Sequence, residues 1–275
     1  VPEDDAVSLT TSYVHYGNER GYLAHPTRAK APLPALLILH EAWGLDAHIE
    51  DVTRRFASAG YAALAPDLYW NGGQRSPALS VERLAETQSF LNLSHTYFGD
   101  DQARAAALAL RPEAERTRIE STIGSIKANV SNLDAFVPRL LVATRFLRDE
   151  HALTRGAKLA AIGFCMGGGL ASRLACHDRE LAAAVVFYGP APAAEQIAKI
   201  TCPVLAFHGS LDLRLMAQLP AFEQAMKAAS VRYESVVYEG RYHAFWNDTR
   251  PSYDVDATRD SLVRTLELLR KTLVA

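Results

Sequence analysis

Short apolar runs that end in turn residues alternate along the chain with stretches whose apolar residues recur every three or four positions. The runs at 35–39, 61–65, 158–162, 184–187, 204–207 and 235–238 carry almost no charge, which predicts strands buried on both faces. Between them, Leu133, Phe136, Val137, Leu140, Leu141 and Leu147 fall on one helical face. Leu262, Val263, Leu266, Leu269 and Leu273 do the same within a closing helix at 257–273. Residues 7–24 read as one or two antiparallel edge strands. Strands alternating with helices in this way form an α/β fold, a mostly parallel central sheet with helices on both faces.

The rhythm breaks between Tyr69 and Asn132. A turn at Asn71-Gly72-Gly73 opens polar, Ala-rich sequence with helical patterning at 101–110 and 112–127 and no strand. It reads as a helical insertion at about 71–131, a candidate lid, within a single domain of residues 1–275. The plainer alternative is a long crossover helix with a surface hairpin.

Composition narrows the partners. With 49% hydrophobic and 22% charged residues the chain can build an ordinary core, and a net charge of −2 with interspersed signs offers no basic field to nucleic acid or an anionic membrane. No apolar run reaches the roughly 20 residues of a membrane span. The acidic start Val1-Pro2-Glu3-Asp4-Asp5 is unlike the basic start of a secretion signal. Cys165, Cys176 and Cys202 are odd in number and lack metal-ligand spacing, which fits neither a disulfide framework nor a zinc site and suits a reducing cytoplasm.

Candidate chemistry centres on Gly163-Phe164-Cys165-Met166-Gly167, which follows an apolar strand and precedes small residues that open a helix. A strand-to-helix turn this tight tolerates only glycine two residues either side of its centre, and it lifts Cys165 above the sheet edge. There the helix N-terminus favours the thiolate, and the Met166 N–H can serve an oxyanion hole. The alternative, a small buried hydrophobe, suits Cys176 and Cys202, which have no motif around them. A thiol nucleophile needs a base and an orienting acid. Asp212, 47 residues after Cys165, and His243, a further 31 on, both follow predicted strands in the order acid then histidine. Asp67, also at a strand end, is the rival acid, although its place before the nucleophile suits a turn. His208 reads as a turn residue bonded to backbone.

The chain resembles the dienelactone hydrolases (carboxymethylenebutenolidases) of the α/β-hydrolase superfamily. The resemblance rests on His40-Glu41-Ala42-Trp43-Gly44-Leu45, Ala65-Pro66-Asp67-Leu68-Tyr69, the Cys165 turn, His208-Gly209 with Asp212, and His243-Ala244-Phe245. It implies the α/β-hydrolase fold, with Cys165 as nucleophile, His243 as base and Asp212 as orienter. It also implies that Glu41 hydrogen-bonds the resting thiol and helps its deprotonation when substrate enters. A carboxylate beside a thiol disfavours the thiolate, which protects it from oxidation. Ala42 would offer the second oxyanion N–H. Members of the family hold a substrate carboxylate with one Arg shortly after Pro-Asp-Leu-Tyr and another a few residues after the histidine. Here Tyr69-Trp70-Asn71-Gly72 and His243-Ala244-Phe245-Trp246-Asn247 have no Arg in register. Arg75 or Arg241 could substitute, while Trp43, Tyr69, Phe245 and Trp246 suggest an aromatic, more apolar substrate pocket, with ordinary loop packing as the alternative.

The reading is a hydrolase that cleaves a lactone or carboxylic ester of small-molecule size through a thioacyl-enzyme, with no metal or organic cofactor. The sequence leaves open whether it is a monomer or a homodimer. Behind it stand a broad carboxylesterase or thioesterase, and a non-catalytic protein that binds a small ligand on the same fold.

Overall fold

The computed structural model describes residues 8–94, 97 and 100–274; the acidic start lies outside them. Its central sheet has the order β1-β2-β4-β3-β7-β8-β9-β10. These strands are β1 (Leu9–Tyr16), β2 (Glu19–Pro26), β3 (Ala35–Leu39), β4 (Ala62–Pro66), β7 (Leu159–Phe164), β8 (Ala183–Phe187), β9 (Val204–Gly209) and β10 (Tyr233–Tyr238). β1 and β2 pair antiparallel, and β2 lies antiparallel to β4; every other pair is parallel. Each run predicted from the apolar pattern is a strand whose ends fall within two residues of the expectation.

Five strands, β3, β4, β7, β8 and β9, are buried along their whole length. Alternate residues feed opposite cores, as the pleat requires. Leu37, Leu39 and Ala161 pack on one face with Leu140 and Leu170 from helices Val137–Arg145 and Met166–His177. Leu36, Ile38, Ile162 and Phe164 pack on the other with Val52, Phe56 and Leu269 from helices Ala47–Ser58 and Val255–Leu269. Among the described residues no helix is long and apolar enough to cross a membrane.

Between β4 and β7 the chain forms helices Val81–Leu91, Asp101–Ala109 and Glu113–Ser131. At the Asn71-Gly72-Gly73 turn it also forms a hairpin of β5 (Trp70–Asn71) and β6 (Gln74–Arg75), the surface hairpin of the alternative reading, where the preferred reading had no strand. Two-residue strands are too short to show periodicity. Their turn, Gly72-Gly73, has φ of 60° and 118°, the positive values that a two-residue hairpin demands. Leu91, Phe90, Leu108 and Ile119 from the three helices form a separate apolar cluster with Trp43. Ion pairs clasp these helices together: Arg118 binds Glu86 through two nitrogens, and Lys127 Nζ lies 3.2 Å from Asp101.

The turn from β7 into the Met166–His177 helix is the tightest backbone packing in the sheet. A Cβ on Gly163 would lie 1.9 Å from the Gly167 carbonyl oxygen, and one on Gly167 2.1 Å from that of Leu39. The first atom cannot retreat without moving the helix, nor the second without moving β3. Gly163→Ala or Gly167→Ala is therefore expected to cost at least about 3 kcal/mol in denaturant unfolding. A loss below about 1 kcal/mol would contradict this packing.

Candidate active site

Cys165 sits between β7 and the helix with φ 54° and ψ −114°, a strained conformation for a residue with a Cβ. Its N–H donates to the Phe187 carbonyl at 2.9 Å, which pins the turn to β8. Its thiol is partly exposed and lines a cleft of about 580 Å³. Cys176 and Cys202 are buried, and burial pushes their thiols up to about 11 and about 12. Neither lines the cleft.

Asp212 leaves β9 and caps the short helix Leu213–Met216. Its Oδ1 accepts from the Leu215 N–H at 3.4 Å, and its Oδ2 accepts from His243 Nδ1 at 2.5 Å. Burial works to raise the Asp212 pKa, but the His243 hydrogen bond and charge hold it below the usual carboxylate range. His243 follows β10, and the next residue, Ala244, has φ 62°. Burial draws the His243 pKa down; the negative charge of Cys165 and the bond to Asp212 outweigh it and push the pKa up to about 10. The structure thus brings Cys165, His243 and Asp212 into one electrostatic unit. Tyr188, fully buried with φ 40°, lays its ring 4.9 Å from the imidazole. Nothing in its sequence context announced it; its strained φ is visible only in three dimensions.

Glu41 follows β3 and is buried; its Oε2 accepts from Asn247 Nδ2 at 2.6 Å and its Oε1 has no hydrogen-bond partner among the described residues, so the expected bond to the resting Cys165 thiol is not formed here. Asn247 is itself fixed, since its Oδ1 accepts from the Thr249 N–H at 3.0 Å and from the Thr249 hydroxyl at 2.7 Å. The adjoining Ala42 lines the cleft. Its carbonyl accepts from the Tyr69 hydroxyl at 2.8 Å, so Tyr69 clamps this loop from below rather than facing substrate. His40 bridges the same loops: Nδ1 donates to the Glu41 carbonyl at 2.6 Å, while Nε2 accepts from the Leu68 N–H at 3.2 Å. Burial pulls His40 down to about 4, so it stays neutral. Met166 opens its helix, where the first N–H groups have no partner within the helix.

Several sequence candidates lie elsewhere. Phe245 and Trp246 are fully buried in the core around Phe164 and Phe187, not in the cleft wall. Arg75 does not reach the cleft; its Nε donates to both Asp67 oxygens at 3.0 and 2.9 Å, and its guanidinium reaches the Leu45 carbonyl. That pairing also removes Asp67 as a rival acid. Arg241 pairs with Asp254 at 2.6 Å. His208 is buried and its ring nitrogens have no hydrogen-bond partner, so it is not the backbone-bonded turn residue expected. Trp43 does line the cleft. So do Arg104, which lies far from any motif, and Arg250, which stands only seven residues after His243 but beyond the stretch read for an arginine in register. The Arg250 guanidinium stands 5.3 Å from the Trp43 ring centroid.

A strained thiol turn and an acid–histidine pair at the carboxyl edge of a parallel sheet define the α/β-hydrolase class. Solved structures of this fold superpose over nearly the whole chain. The dienelactone hydrolase of Anabaena variabilis aligns with TM-score 0.61 at 19% identity, covering 97% of this chain and 98% of its own. A dienelactone hydrolase-like promiscuous phosphotriesterase from metagenomic libraries aligns with TM-score 0.66 at 22% identity, covering 97% and 99%. Residues 20–273 match the dienelactone hydrolase family, and the chain belongs to it. A Saccharolobus solfataricus relative named "Putative carboxymethylenebutenolidase" is 31% identical over 92% of this chain and 93% of its own. The chain is accordingly a hydrolase of the family's lactone- and ester-cleaving type.

Two expectations follow from this geometry. Asn247→Leu strips the buried Glu41 carboxylate of its donor and should cost about 2–3 kcal/mol in equilibrium unfolding; a neutral result would show that Glu41 finds another partner. The raised His243 pKa contributes stability that is fully present below the unfolded value of about 6.5 and is lost as pH rises towards about 10. The lowered Asp212 pKa contributes stability present above its unfolded value and lost as pH falls through its folded value. The gap in melting temperature between wild type and His243→Ala should therefore narrow as pH is raised from about 6.5 to about 10. A constant gap would contradict the coupling.

Proposed function

We propose that the protein hydrolyses a carboxylic ester or lactone through a thioacyl-enzyme on Cys165, with His243 moving the protons and Asp212 holding the imidazole. The observation that carries this reading is the convergence at one cleft of Cys165, held in a strained turn, with a His243 that is bonded to Asp212 and raised in pKa by both neighbours. The thiolate attacks the carbonyl carbon, and the Ala42 and Met166 N–H groups take the developing negative charge on oxygen. Collapse breaks the carbonyl carbon to alkoxy oxygen bond as His243 hands its proton to the departing alkoxide. Cys165 is now a neutral thioester, so the largest influence raising His243 has gone. The neutral imidazole can then accept a proton from water, which attacks the thioester and expels the thiolate. The imidazolium and thiolate are restored together.

Glu41, anchored by Asn247, stands in the cleft wall with this pair. The segment 71–131 acts as an insertion that roofs the cleft with helices Val81–Leu91 and Glu113–Ser131. Turnover of a 4-nitrophenyl ester should fall by at least about 10³-fold in Cys165→Ala and by about 10²- to 10⁴-fold in Asp212→Asn. Wild type quenched during turnover should carry the acyl mass on Cys165. Full activity in Cys165→Ala would refute the assignment of the nucleophile.

A further inference from the structure

Resting on the reading above, we infer that the substrate is a carboxylic ester with an extended apolar group, either an alkyl chain or a large aryl system, and that the helical roof selects it. The cleft of about 580 Å³ falls in the range of roughly 300–1,000 Å³ that accepts drug-sized ligands, far more than one small lactone ring occupies. Its roof is mostly apolar: Leu91 comes from one helix, Ile123 and Ile126 from another that also brings Lys127 to the lining, and both helices pack in the cluster that contains Trp43. The opposite wall carries Leu211, Leu213 and Tyr242, which are 40%, 74% and 52% exposed. Scattered apolar side chains on a surface are ordinary, but three gathered on the lip of one cleft mark a surface built to be covered.

Four of the cations in or near the cleft are engaged by protein carboxylates, while Arg214 and Arg250 also line it, the latter beside the Trp43 ring. Arg75 is committed to Asp67 and Arg241 to Asp254. At the far wall Arg104 and Lys127 share one carboxylate, Asp101, and Arg104 also donates to the Tyr97 carbonyl at 2.9 Å. These contacts, with the Arg118–Glu86 pair and the Thr122 hydroxyl bonded to the Ala78 carbonyl, hold the roof in shape. An apolar group lying between roof and lip would dry both walls and exclude water from the carbonyl until attack.

The test uses two ester series: 4-nitrophenyl esters with acyl chains from acetate to decanoate, and acetates of alcohols of the same lengths. A dienelactone is run in parallel. In at least one series kcat/KM should rise at least about tenfold from the two-carbon to the eight-carbon member, as burial of methylenes predicts. Ile126→Trp should lower that long-to-short ratio by about tenfold. Leu213→Ser, at an exposed site that does not threaten folding, should lower it by about threefold. Both series flat or falling, a dienelactone preferred to every long ester, or a ratio unchanged in both variants would overturn the inference while leaving Cys165-dependent hydrolysis of acetates intact. Loss of all Cys165-dependent ester turnover would instead remove the hydrolase mechanism on which the inference rests.

Discussion

The contact of backbone on backbone at the exit of β7 is the constraint on which the site depends. With no side chain at Gly163 or Gly167, the Met166–His177 helix starts directly against the carbonyl of Leu39. Cys165 has no conformation left but one with positive φ, and its sulfur is carried above the sheet. Parallel order then does the rest, because the loops that follow β3, β9 and β10 leave the sheet at the same edge. Glu41 and Ala42, Asp212, and His243 come from these three loops. Cys165, Tyr188 and Ala244 are all held at positive φ around this edge. Each such residue costs on the order of 1–3 kcal/mol, which the two cores on either face of the sheet must offset.

A second layer of polar contacts keeps the loops in register. Asn247 joins the histidine loop to Glu41. One residue on, Asp248 binds His48 at 3.2 Å and also Arg55, both on the helix that follows the Glu41 loop. Asp46 caps that helix through the Ile49 N–H at 3.0 Å. On the other side Tyr69 and His40 tie the Ala42 loop to the segment after β4. Next to the thiol the loops are held by an amide, a hydroxyl and a neutral imidazole, while the charged Asp248–Arg55 pair and the Asp46 cap anchor the helix behind them.

Much of this was legible in the sequence, for physical reasons. A strand buried on both faces must be apolar throughout, so β3, β7 and β8 announced themselves. A turn that tolerates only glycine on either side of its centre announced Cys165. Side-chain direction was not legible. Phe245 and Trp246 follow His243 directly, yet the backbone turn at Ala244 sends both rings into the core. Arg75 has the right charge near the expected place, but Asp67 lies closer than the cleft. Tyr188 reaches the imidazole, and Arg104 the cleft, from distant parts of the chain, a relation that no local pattern records. The β5–β6 hairpin was too short to leave any period.

His243 owes its raised pKa to Cys165 and Asp212 together, so its charge should change once Cys165 is acylated or removed. Nitrogen-15 NMR of the His243 ring at about pH 7.5 tests this most directly, comparing the resting protein with Cys165→Ala. The His243 ring should be protonated in the resting protein and should titrate at markedly lower pH in Cys165→Ala. A neutral imidazole in the resting protein, or an unchanged titration in the variant, would contradict it.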